Sequence, residues 1–294
     1  MEVVVQQIFN GVFLGSIYAL LALGYTMVYG IIGLINFAHG DVYMIGSFIG
    51  FYLITSLHLN FWVTLILTML ACAVIGMLIE FLAYRPLRHH GAPKITALIT
   101  AIGVSFFLEN GMTFLFGGDS RPFPQAIKLV NYHIGFIDVT NIQILIFVVA
   151  IVLMLTLQYI VQKTKMGRAM RAVSVDTEAA NIVGIKVDQT ISFTFAIGSA
   201  LAGAAGVLIG LYYNSVDPLM GMTPGIKAFI AAVVGGIGVI PGAALGGWLI
   251  GLIETLTFSI GISSWKDAAV YTVLILVLLV RPNGIFGKKE GEKV

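Results

Sequence analysis

The stretch FWVTLILTMLACAVIGMLI, residues 61–79, carries no charged side chain. Wound as an α-helix it rises about 28 Å, close to the thickness of a bilayer's hydrocarbon layer. A second block, 142–160, is interrupted only by Gln143, Thr156 and Gln158, and a third, 273–280, by nothing polar. The rest of the chain follows suit. Of 294 residues, 59% are hydrophobic and 10% charged, whereas soluble domains carry about 25% charged residues. No soluble core of this length could cover so much apolar surface. The fold class is therefore all-α, a polytopic transmembrane helical bundle of about eight spans with broken or re-entrant segments.

Spans are expected near 4–28, 37–57, 61–84, 95–116, 140–161, 189–213, 224–239, 241–260 and 265–280, the segment 224–239 being short. The opening Met-Glu-Val-Val-Val has no basic region, so the first apolar stretch is expected to remain as a helix. Two places break the pattern. Residues 30–40 read Gly-Ile-Ile-Gly-Leu-Ile-Asn-Phe-Ala-His-Gly, and residues 235–242 read Gly-Gly-Ile-Gly-Val-Ile-Pro-Gly. Glycine and proline at that density interrupt helices. Broken backbone at membrane depth is tolerated only where protein or a water-filled cavity surrounds it, and breaks in both halves of a chain point to a transport pathway. Two tight inter-helix turns would read the same way, and no internal sequence repeat supports the pairing.

Lysine and arginine set the orientation. Residues 85–94 hold Arg85, Arg88 and Lys94. Residues 162–188 hold Lys163, Lys165, Arg168, Arg171 and Lys186. The tail holds Arg281, Lys288, Lys289 and Lys293. In 117–138, by contrast, Arg121 and Lys128 are balanced by Asp119 and Asp138. The first three segments are placed in the cytoplasm and the last outside. The chain then reads as one transmembrane domain over 1–294, with a cytoplasmic loop at 162–188 and a cytoplasmic tail at 281–294. An odd number of crossings must follow Tyr213, so either the short segment 224–239 crosses or a later one re-enters. Small residues four apart (Gly11/Gly15, Gly46/Gly50, Gly242/Gly246, Gly247/Gly251 and the stripe Gly198, Ala202, Gly206, Gly210) allow spans to approach closely. A net charge of +2 offers no basic field for nucleic acid. The single cysteine, Cys72, has no internal partner and reads as a packing residue.

The longest polar interruption, 162–188, contains a short helix candidate. Asp176 or Thr177 can cap it, Glu178 suits its positive end, Ala179 and Ala180 favour helix, and Gly184 can end it in a left-handed cap. Ile182, Val183 and Ile185 would then stay exposed unless a partner covers them. An ordinary loop helix lying on the membrane is the plainer account.

The spacing Glu178-Ala179-Ala180, three residues, Gly184 resembles the EAA signature of ABC importer permeases, with Arg168 and Arg171 in the basic run before it. Gly-Ser-Ile-Tyr-Ala-Leu at 15–20, Asn-Phe-Ala-His-Gly at 36–40, the stretch 229–242, and Arg-Pro-Asn-Gly-Ile-Phe-Gly at 281–287 resemble the LivH-type branched-chain amino acid permeases. These stretches run from one end of the chain to the other. The resemblance implies that 178–184 is a coupling helix docking on an ATPase. It further implies a second related permease subunit, two ABC ATPase subunits that use ATP and Mg, and a periplasmic or extracellular substrate-binding protein. The location it implies is a bacterial or archaeal cytoplasmic (inner) membrane. The implied cargo is a branched-chain or other hydrophobic amino acid, and relatives with similar motifs carry urea or short amides.

The sequence has no Gly-x-x-x-x-Gly-Lys-Ser/Thr loop, no His-Glu-x-x-His pair and no Gly-x-Ser-x-Gly elbow. No catalytic residue, metal site or cofactor of its own is expected. Ionisable and amide groups inside spans are costly and often functional. Asn36, His39, Asp41 and Tyr43 at the first break, Glu109 and Asn110, and Glu254 are the candidates for a translocation path. Interfacial placement or packing hydrogen bonds would equally explain them. Glu80 is expected to pair with Arg85 or Arg88. Intramembrane ionisable groups also suit a gradient-driven secondary carrier, and a passive channel for a small solute is a third reading. Neither accounts for the loop at 178–184.

Overall fold

A computed structural model describes residues 2–135 and 137–287, so Lys288, Lys289 and Lys293 of the expected tail lie outside the described residues. Almost all of it is helix: α1 (Glu2–Ile32), α2 (His39–Thr55), α3 (Phe61–Ile79), α4 (Arg85–His89), α5 (Lys94–Phe116), α6 (Asn141–Lys163), α7 (Lys165–Val175), α8 (Thr177–Ile182), α9 (Val187–Tyr213), α10 (Met222–Gly235), α11 (Ile240–Ser259) and α12 (Lys266–Val280). Polar side chains cap the starts of two of the spans. The Asn60 side chain accepts from Val63 N–H (3.0 Å) ahead of α3. Thr140 and Gln143 form a reciprocal capping box ahead of α6. The expected boundaries hold to within a few residues. The loop 162–188 differs, because it forms two helices where one was expected. Thr164 accepts from Gly167 N–H and starts α7, and Asp176 separates α7 from α8.

The described residues contain 7 helices long and apolar enough to cross a membrane. α2, with 17 residues, and α10, with 14, are shorter. The basic segments gather at one end. Arg88 Nη2 lies 2.6 Å from Asp188 Oδ1, which joins the two basic loops. Ile285 N–H donates to Val234 O and Phe286 N–H to Gly235 O, which brings the start of the tail to the same end. At the other end four short strands, β1 (Arg121–Pro122), β2 (Asn131–Ile134), β3 (Ile137–Thr140) and β4 (Ser215–Val216), pair antiparallel as β1–β4 and β2–β3. Gln6, near the start of α1, donates to the Asp138 carbonyl there (2.8 Å).

α1 and α9 form the buried centre, with α2, α10 and α11 against them, while α3, α5, α6 and α12 lie outside. The inner contacts are made by backbone. A Cβ at Gly15 would stand 2.6 Å from Trp248 Cα, and one at Gly46 2.6 Å from Gly203 Cα, so no side chain fits between these helices. This is the close approach that small residues four apart allow.

The break expected at 30–40 is a loop that turns back into the bundle, whereas 235–242 is a tight turn joining α10 to α11 at the basic end, and the second start at depth is that of α10 itself, at Met222. The His39 imidazole packs on Gly24 of α1. α2 therefore begins two turns back from the end of α1, about 12 Å inside the bundle. α10 begins at the same level, since a Cβ on Gly40 would lie 2.6 Å from Gly221 O and 3.1 Å from Gly225 Cα. Its far end reaches the basic end of α1, where Gly30 faces Gly238. Thus α10 is a half-helix running from mid-depth to the basic end. Together with the chain before it, the short segment completes the odd crossing. α2 and α10 start back to back and leave in opposite directions.

Candidate functional site

At the basic end the local sequence builds α8 as expected. Asp176 caps it, its carboxylate accepting from Glu178 N–H (2.9 Å) and Ala179 N–H (3.0 Å). Gly184 closes it with φ +87, a conformation costly for any residue bearing a Cβ. Gly184 N–H donates to Asn181 O and Ile185 N–H to Ala180 O, satisfying the last carbonyls. Ala180 is buried against the bundle, while Glu178, Ala179 and Gly184 face out. Ile182 is 85% exposed and Val183 75%, an apolar tip held clear of the protein. Arg168 and Arg171 lie on the exposed side of α7, and Arg171 donates to the Val161 carbonyl. Beside α8 runs an open groove lined by Arg88, His89, Glu178, Asn181, Lys186 and Asp188.

Under this groove lies a charge network. Glu80 is fully buried, and its carboxylate accepts from Arg85 (2.9 Å), Arg88 (3.0 Å) and the Ser192 hydroxyl (2.6 Å). The expected pair with Arg85 or Arg88 is thus a pair with both. Arg88 and His89 also contact Asp188 at the foot of α9. Residues 80–84 form a π-turn that joins α3 to α4. The turn ends on Tyr84, whose hydroxyl donates to Asn36 Oδ1 (3.0 Å). Side-chain contacts and the backbone of the π-turn together therefore connect the foot of α9 to the first break.

The candidate path residues separate into groups. Asp41 and Glu109 share one cavity of about 240 Å³, which also has Tyr25, Phe37, Ser105 and Ile226 in its wall. His39, 1% exposed, packs its ring against Tyr25 with centroids 4.6 Å apart. Tyr43 is buried beside Gly206, away from that cavity. Asn110 faces outward and donates to the Phe106 carbonyl of its own helix (2.8 Å). Glu254 belongs to another cluster. It accepts from Tyr18 (2.8 Å) and Lys227 (2.9 Å), and Lys227 also lies 2.8 Å from Asp267. Sequence reasoning passed over Lys227, yet a lone lysine in the apolar run 224–239 is itself a signal that a buried acid stands nearby. It also passed over Tyr25 and Ser105, whose side chains are ordinary for membrane spans.

The family model described as "Branched-chain amino acid transport system / permease component" matches residues 7–279. The high-affinity branched-chain amino acid transport system permease protein LivH of Escherichia coli is 44% identical over 301 residues, covering 98% of this chain and 97% of its own. The corresponding protein BraD of Pseudomonas aeruginosa is 45% identical over 302 residues, with the same coverage. The ribose import permease protein RbsC of Haemophilus influenzae is 27% identical over 205 residues, covering 67% of this chain and 62% of its own. No solved structure matches the chain.

Proposed function

Because this chain belongs to the branched-chain amino acid transport permease family, we propose that it is the membrane subunit through which an ATP-driven importer passes branched-chain or other hydrophobic amino acids into the cytoplasm. The observation that carries this reading beyond family is the capped helix α8. It stands at the basic end of the bundle with Ile182 and Val183 uncovered. A short helix whose exposed tip is apolar is stabilised by a partner that covers it. The partner proposed is an ABC ATPase, two of which use ATP and Mg on behalf of a pair of related permeases. A substrate-binding protein delivers cargo at the strand-bearing end. The setting is the cytoplasmic (inner) membrane of a bacterium or archaeon.

The proposed mechanism is alternating access, and the contacts support a route for it. Closure of the ATPase pair displaces α8. Ala180 is packed on the bundle and α8 leads directly into α9, so the foot of α9 moves with it. Asp188 draws on Arg88 and His89, and Ser192 on Glu80, so the end of α3 follows. Tyr84 then transmits the shift to Asn36 beside the start of α2. Arg168, Arg171 and Glu178 are proposed to face the ATPase, and Gly184 to set the angle of α8.

Co-purification from native membranes tests the contact. The wild-type chain is expected to bring down ATPase subunits and a second permease, and Glu178→Lys to lose the ATPases while still inserting. Uptake in vesicles with trapped ATP and no ion gradient tests the energy source. Uptake driven by a gradient without ATPase subunits would favour a secondary carrier and sink the importer reading.

A further inference from the structure

We propose that the cavity where α2 and α10 begin is a subsite for a zwitterionic aliphatic amino acid in transit, with Asp41 and Glu109 receiving its ammonium group. The inference rests on the importer reading and specifies what the path recognises. Three features of the cavity carry it.

The first is a buried acid with no cation beside it. Asp41 is 3% exposed, and its Oδ2 meets no hydrogen-bond partner among the described residues. It lies in the wall of the cavity together with Glu109, and no lysine, arginine or histidine lines that wall. A buried carboxylate with no cation beside it is costly, and the Ser105 hydroxyl that bonds it from the same wall brings no full charge, so a positively charged ligand group fits this place.

The second is the pair of helix starts. Gly40 and Asp41 bring the first turn of α2 to the cavity, while Gly221, Met222 and Gly225 bring the first turn of α10. Each helix start carries about half a positive charge and so favours an anion, while the N–H groups of Asp41, Met222 and Gly225 are already taken by Ala38 O, Leu219 O and Gly221 O. The two starts can stand together because Gly40, Gly221 and Gly225 let the backbones touch. Carboxylates and helix starts in one chamber offer both signs of charge a short distance apart. That is the charge pattern of an α-amino acid.

The third is the remaining wall. Phe37, Ile102, Phe106, Met222 and Ile226 make it apolar. At about 240 Å³ the chamber is smaller than the ~300–1,000 Å³ typical of drug-sized ligands, which suits a molecule of amino-acid size. One side is α5, which contributes Ile102, Ser105, Phe106 and Glu109 at helical spacing and is only 6% buried. A wall held so loosely can move to admit and release a weakly bound solute.

The test measures binding of radiolabelled leucine to the complete permease–ATPase assembly in lipid nanodiscs, with the binding protein left out. Wild type is compared with Asp41→Asn, Glu109→Gln and Ile226→Trp, the last of which fills the chamber. Competition uses 3-methylbutylamine, which lacks the carboxylate, and 4-methylpentanoate, which lacks the ammonium. The expected result is saturable wild-type binding, weakened about ten-fold or more by either acid substitution and abolished by Ile226→Trp, while the subunits still co-purify. Both analogues should compete at least about ten-fold less well than leucine. Glu109 is half-buried, so Glu109→Gln reports even if Asp41→Asn fails to assemble. Three results overturn the proposal: no saturable leucine binding to wild type, unchanged binding in both acid variants, or an amine that competes as well as leucine, which would mark a plain cation site. If the wild type imports leucine with ATP and the variants are unaffected, this inference alone falls. If the wild type moves leucine only down a gradient, the importer reading falls instead.

Discussion

α1 and α5 are both long, apolar helices, yet 94% of the core window of α1 is buried inside the protein and 6% of that of α5. Hydropathy does not separate them, because lipid and protein interior are equally apolar surroundings. Glycine context does. Gly15 and Gly24 of α1 press on neighbouring backbone, whereas Gly103 and Gly111 of α5 have no heavy atom within 4 Å of where a Cβ would sit. The inner bundle is thus held together largely by backbone contacts. α5 is a panel resting against it and touches it chiefly through α2 and the π-turn.

Substitutions can break this comparison. The largest effect is expected for Gly46→Leu, because the new side chain must push α2 away from α9 at Gly203. Overpacking of this kind costs about 3 kcal/mol or more. Gly103→Leu on α5 should leave yield and melting temperature unchanged. Gel filtration and thermal unfolding in detergent read both, and equal behaviour would erase the distinction. Next is Glu80→Ala, which leaves Arg85 and Arg88 without their shared acid. The arginines are partly exposed and Arg88 keeps Asp188, so the loss costs about 2–3 kcal/mol, expected as a clear fall in the melting temperature. A fall no greater than that of a surface variant would show that the network does not hold α3 to α9.

A smaller effect is expected for Gly184→Val, where left-handed backbone strain costs about 1–2 kcal/mol. The strain is confined to the end of α8, so the bundle should melt normally while ATPase binding and stimulation decline. A melting shift as large as that of Glu80→Ala would mean that α8 belongs to the inner bundle. The smallest effect is expected for Asn110→Leu, which removes one outward amide from α5 and should change stability by less than about 0.5 kcal/mol. A clear loss of assembly there would reveal a protein partner on that face.

Much of this was legible in the residues. Apolar runs located the spans, and lysine and arginine placed their ends. Asp176, Glu178 and Gly184 announced a capped helix, and Glu80 announced its arginines. These are local signals, each set by neighbours within about two helical turns. The unread features depend on residues far apart in the chain. Lys227 finds Glu254 and Asp267 only after α10, α11 and α12 have packed. Gly40 meets Gly221 only because α2 and α10 both start at mid-depth, a level no hydropathy pattern records. The grouping of Asp41 with Glu109, and apart from Asn110 and Glu254, is likewise a product of packing. The split of the loop into α7 and α8 could have been read, since Thr164 precedes Gly167 at capping distance just as Asp176 precedes Glu178 and Ala179.

The contact of Gly46 with Gly203, and its counterparts along α1 and α11, also bear on how such a chain can evolve. Where side chains meet, a larger residue on one helix can be answered by a smaller one opposite. Where backbone meets backbone there is nothing smaller to substitute, so a change at one glycine has no single compensating partner. Variation is thereby steered to the outer helices and the groove beside α8, and subunits that diverge in cargo or in partner can do so on a nearly unchanging frame.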